Sequence, residues 1–168
     1  MATHRISMLR GDLLPDTSGN TFWEPATVKF TNDRWKYGVW IFNDTATRLE
    51  LFGTFNVPRN YVGTALIKVV WTATAVAGNV VWDFDYRGVG GDDAESLDQT
   101  LEQEALTVTD VAPTAALRRL EASMTVTSAN LAVDDTVQFL ISRDGVSASD
   151  TMAAAAILHD VIFQYNDV

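Results

Sequence analysis

A chain of 168 residues with 47% hydrophobic content, five Trp, four Tyr and eight Phe can fill one core, and its composition lies far from that of disordered chains. It has no cysteine, which removes disulfides, thiolate metal sites and cysteine nucleophiles and fits synthesis in a reducing cytoplasm. A net charge of −10 disfavours contact with phosphate backbones, and no run approaches the ~20 apolar residues of a membrane helix, so neither nucleic acid nor a membrane is expected as a partner. The charge is uneven: residues 1–68 hold eight basic and six acidic groups, residues 69–168 four basic and sixteen acidic.

Residues 1–35 show no sustained period. Gly11, Pro15, Gly19 and Pro25 among Asp, Ser, Thr and Asn read as an irregular N-terminal arm. The arm nevertheless carries Phe22, Trp23, Phe30 and Trp35, which must pack on its own body or on a neighbour. From Tyr37 onward the pattern is strand-like. Tyr37–Phe42 is aromatic and β-branched and ends at Asn43-Asp44. Over 48–57, Leu49, Leu51, Phe55 and Val57 share one face and Arg48, Glu50, Thr54 and Asn56 the other, until Pro58 stops the strand. Over 64–75, Ile67, Val69, Trp71 and Ala73 share a face. Ala77-Gly78-Asn79 reads as a hairpin turn, which would pair this strand antiparallel with the next. Val80–Arg87 alternates most cleanly, with Val80, Trp82, Phe84 and Tyr86 against Asp83, Asp85 and Arg87.

An acidic connection follows from Gly88 to Glu104, in which Ser96-Leu97-Asp98-Gln99 has the letters of a helix-capping box. Short strands are expected at 106–111, 117–127, 136–143 and 155–165, broken by Pro113, by 130–135 and by Asp144-Gly145. The fold expected is therefore all-β: an antiparallel jelly-roll-like β-sandwich of about eight strands over residues 36–168, with residues 1–35 as the arm. An immunoglobulin-like sandwich built on Trp71 or Trp82 is the rival.

Catalytic constellations are lacking. His4 and His159 are the only histidines, and no Gly-x-Ser-x-Gly elbow accompanies them. No histidine cluster offers a metal site, and no cofactor fingerprint occurs. The acidic stretch 90–95 has the composition of a calcium loop, but a solvated loop gives the same letters, and Asp83 and Asp85 on one strand face suit an outer polar face better than a glycosidase pair. Arg10-Gly11-Asp12 and Asn43-Asp44-Thr45 match an integrin tripeptide and a glycosylation sequon by letter only.

Asp134-Asp135-Thr136-Val137-Gln138-Phe139-Leu140-Ile141-Ser142-Arg143-Asp144-Gly145, followed by Asp150-Thr151 and a final strand ending Gln164-Tyr165, resembles a pattern of tailed-bacteriophage virion proteins. Val80–Arg87 and Leu120–Ser123 fit the same scheme, so the resemblance spans roughly residues 64–168. It implies a jelly-roll sandwich used as a capsid decoration (cement) protein on the virion surface. Such a protein is made in the host cytoplasm, is commonly a homotrimer, and has the major capsid protein as partner. In that reading Arg5, Arg10, Phe22 and Trp23 dock on the shell or a sister subunit. The alternative is a tail or head-fibre module that binds a receptor or glycan, then a free-standing carbohydrate-binding module; an enzyme comes last.

Overall fold

The computed structural model describes residues 2–8, 14–15, 25–29, 36–91 and 96–167. These form two antiparallel sheets packed face to face. In chain order the strands are β1 (Thr3–Ser7), β2 (Leu14–Pro15), β3 (Pro25–Lys29), β4 (Lys36–Phe42), β5 (Arg48–Asn56), β6 (Val62–Ala73), β7 (Asn79–Val89), β8 (Glu104–Val111), β9 (Leu120–Val126), β10 (Thr136–Asp144) and β11 (Ala156–Asn166). The first sheet has the order β3-β4-β11-β6-β9, with β1 also on β11; the second has the order β2-β5-β10-β7-β8. The fold is an all-β, jelly-roll-like sandwich, and the eight strands expected from periodicity are β4 to β11.

Each strand sends alternate residues into the shared core. Leu49 and Leu51 of β5, Ile67, Val69 and Trp71 of β6, Trp82 and Phe84 of β7, Ile141 of β10 and Phe163 of β11 are almost completely buried. Trp71 and Trp82 meet edge-on across the two sheets, ring centroids 6.0 Å apart, and Trp71 Nε1 donates to Asp110 Oδ2 of the opposite sheet at 2.8 Å. Such pairs add roughly 0.5–1.5 kcal/mol beyond the area they bury.

Three expectations need correction. First, β6 and β7 do not pair: β6 lies between β11 and β9, and β7 between β10 and β8. The segment through Gly78 carries the chain from one sheet to the other. Both strands place a tryptophan at the junction, and a hairpin would put these two on one sheet instead of facing across the core. Gly78 has φ +91°, and a Cβ there would sit 2.7 Å from Met152 Cα. Second, Ser96–Gln99 does not start a helix. Ser96 Oγ accepts from Asp98 N at 3.0 Å and Gln99 Nε2 donates to Ser96 O at 2.9 Å, a local turn in a segment that contains no Lys or Arg of its own. Third, the described parts of residues 1–35 are strands rather than irregular chain. β1 runs along β11, pairing Arg5 with Gln164, and β3 pairs with β4 across the expected boundary at 35/36. Strands of two to five residues are too short to show a period, and their partners supply the order.

Candidate functional site

The outer face of the five-stranded sheet holds the candidate site, and register builds it row by row. On β10, Ser142 is flanked by Glu50 of β5 and Asp83 of β7. Leu140 is flanked by Phe52 and Asp85, and Gln138 by Thr54 and Arg87. The segment 97–102 borders this face, and between them lies a groove of about 520 Å³. That volume falls within the range of small-molecule sites, roughly 300–1,000 Å³. Phe52, Leu97 and Leu101 line it, and these are 39%, 54% and 71% exposed. Large apolar side chains left uncovered together mark a surface that meets something. Asp85, Arg87, Gln99, Glu102 and Gln138 provide donors and acceptors around them.

One guanidinium organises the carboxylates beside the groove. Arg48 Nη2 lies 2.9 Å from Asp85 Oδ2 and 3.3 Å from Asp83 Oδ2, and Arg48 Nε donates to Ser142 Oγ at 2.7 Å. Burial pushes the Asp85 carboxyl above its usual range; Arg48 pulls it back in part, and Asp83 and Glu102 push it up again. Both aspartates are thus held by a structural ion pair, which accounts for their alternation on β7 without glycosidase chemistry.

The expected docking residues are only partly placed. Arg5 stands on β1 and is engaged within its own chain: Nε donates to Gln164 Oε1 at 2.9 Å and Nη2 meets Glu121 Oε1 at 2.7 Å. Lys68 and Arg119 reach the same carboxylate, each at 3.0 Å. Burial alone would raise the Glu121 pKa, but the bonds from Lys68, Arg5 and Arg119 prevail and hold it at about 2. Arg10, Phe22 and Trp23 lie outside the described residues, as do 92–95 of the calcium-like stretch. Among the described residues no three His, Asp or Glu side chains are grouped to hold a metal. His4 stacks on Tyr165 and meets Asp167 Oδ2 at 2.8 Å, and His159 is half-buried on β11.

The groove residues Phe52, Gln138 and Leu101 escape sequence reasoning. The available signal was Phe52, an aromatic on the polar face of β5 that breaks the alternation around it.

No family model matches the chain, and no curated protein matches it. Solved structures do. A family 35 carbohydrate-binding module from Clostridium thermocellum is 12% identical, with a TM-score of 0.51 over 95% of this chain and 97% of that one. The family 35 module of Abf62 from Cellvibrio japonicus is 9% identical, with a TM-score of 0.50 over 99% and 95%. An arabinose-bound α-L-arabinofuranosidase, MgGH51, is 7% identical at a TM-score of 0.50; the match covers 95% of this chain and only 24% of the enzyme. At these identities the likeness is one of fold.

Proposed function

We propose that the protein is a non-catalytic carbohydrate-binding module whose ligand lies in the groove between the outer face of β5, β10 and β7 and the segment 97–102. The observation that carries this reading is the exposed Phe52 among amides and carboxylates in an open groove. A sugar ring has apolar C–H faces and a rim of hydroxyls. An aromatic side chain suits the first, while planar groups such as those of Gln138, Gln99 and Asp85 suit the second. The full-length likeness to modules described as carbohydrate-binding supports the same reading.

The test is a glycan array followed by calorimetry on the intact protein. Binding to at least one glycan, weakened about tenfold or more in Phe52→Ala by loss of a buried aromatic contact, is the expected result. No glycan bound, or binding indifferent to Phe52→Ala and Gln138→Ala alike, would overturn it.

The motif over 134–151 favours a virion as the setting, with the module presenting its groove to host-surface glycan. Purified particles carrying the protein would support that setting, and particles without it would remove it. The cement role would need in addition hundreds of copies per head and a contact with the major capsid protein.

A further inference from the structure

The charges around the groove bear on which saccharides it accepts. Asp85, Arg87 and Glu102 line it. Arg48, behind Asp85, is divided among carboxylates: besides Asp85 and Asp83, its Nε lies 3.8 Å from Glu50 Oε1. Arg87 Nη1 donates to the carbonyl of Leu101 at 3.4 Å, which ties this cation to the bordering segment. The described part of the bordering segment, 96–102, carries Asp98 and Glu102 and contains no Lys or Arg. The opposite sheet has the reverse balance at its own cluster, where Arg5, Lys68 and Arg119 surround the single carboxylate of Glu121. The two clusters therefore differ in sign, and the groove lies beside the negative one.

From this balance we infer that the groove selects by charge: it takes a glycan bearing protonated amino groups, of the glucosamine-polymer class, and rejects uronate-rich and sulfated glycans. The inference rests on the reading of the groove as a glycan site. Four carboxylates, those of Glu50, Asp83, Asp85 and Glu102, stand against the two guanidinium groups of Arg48 and Arg87, and an ammonium near Asp85 and Glu102 adds the positive charge these do not supply. A uronate would meet like charges on a partly desolvated surface, where repulsion is stronger than in bulk water.

Glucosamine and glucose oligomers share the β-1,4 backbone and differ at one substituent, amine or hydroxyl, so they isolate the charge. Calorimetry on the full chain would compare a glucosamine hexamer, cellohexaose and an oligogalacturonate at low and high salt. The glucosamine hexamer is expected to bind about tenfold tighter than cellohexaose at low ionic strength, with the gap closing at about 0.5 M salt. The gap should also shrink in Asp85→Asn and in Glu102→Gln, the second variant lying on an exposed segment where folding is not at stake. Equal binding of the two hexamers, a gap unchanged in both variants, or tighter binding of the galacturonate would overturn the charge selection. If cellohexaose binds and Phe52→Ala weakens it, the glycan site stands even then. If glycans of every class fail to bind, the glycan reading falls first and takes this inference with it.

Discussion

Arg143 and Asp150 form an ion pair that is almost wholly shut off from solvent: Arg143 Nη2 stands 2.7 Å from Asp150 Oδ1, Nε stands 2.9 Å from Oδ2, and each side chain is 1% exposed. The remaining valences are also filled. Arg143 donates to the carbonyls of Met152 and Ala154 at 2.6 Å, and Asp150 Oδ2 accepts from Val81 N at 3.1 Å. The pair thus sews the 145–155 loop to β10 and β7. Arg143→Met should cost about 3–5 kcal/mol, because it leaves a buried carboxylate without its cation. The double variant Arg143→Met, Asp150→Leu should recover only part of that loss, since the loop carbonyls and Val81 N stay unpaired. Urea denaturation of the two variants checks both statements.

Gly145 follows the strand that holds this arginine. A Cβ there would lie 2.1 Å from the Thr45 carbonyl oxygen, so β10 and the loop between β4 and β5 pass at backbone contact. Gly145→Ala should destabilise by roughly 1–3 kcal/mol through the shift it forces. The same denaturation assay reads it.

Glu121 makes stability depend on acid. Its folded pKa, about 2, lies below its ordinary value of 4.5. Its contribution is therefore complete above pH 4.5 and is lost as the pH falls from there towards 2. Glu121→Gln should lower stability at neutral pH, where it leaves Arg5, Lys68 and Arg119 facing one another, and should flatten the acid limb. Denaturation midpoints across that window test it.

His159 acts at milder pH. Burial, with Arg119 nearby, holds its pKa below the ordinary 6.5. The unfolded chain then takes up the proton first, so the stability it contributes is present above pH 6.5 and declines as the pH drops below. His159→Gln should remove that decline. Midpoints compared between about pH 7.5 and about pH 5.5 would show parallel curves in the two proteins if this assignment is wrong.

The legibility of this chain follows its physics. Strands β4 to β11 were visible because seven to twelve residues with one face in a core must alternate. Their partners were not. The letters Ala77-Gly78-Asn79 suit a hairpin equally well as a passage between sheets, and only the facing of Trp71 and Trp82 decides between them. Likewise Arg143 stands at the end of an expected strand, and a sequence shows that an arginine is charged but not that the carbonyls of Phe42, Met152 and Ala154 and the carboxylate of Asp150 await it. The groove was hidden for a related reason: Phe52, Leu140 and Asp85 are neighbours only after β5, β10 and β7 have found their register.

The pairing of β11 has a consequence for how the molecule comes into being. This strand, last in chain order, is the middle plank of its sheet, holding β6 on one side and both β4 and β1 on the other. Until residue 166 has left the ribosome, three earlier strands lack the neighbour they share. The two sheets of this domain therefore close around their shared core only once β11 is in place, and the pairings it makes are all with strands far earlier in the chain.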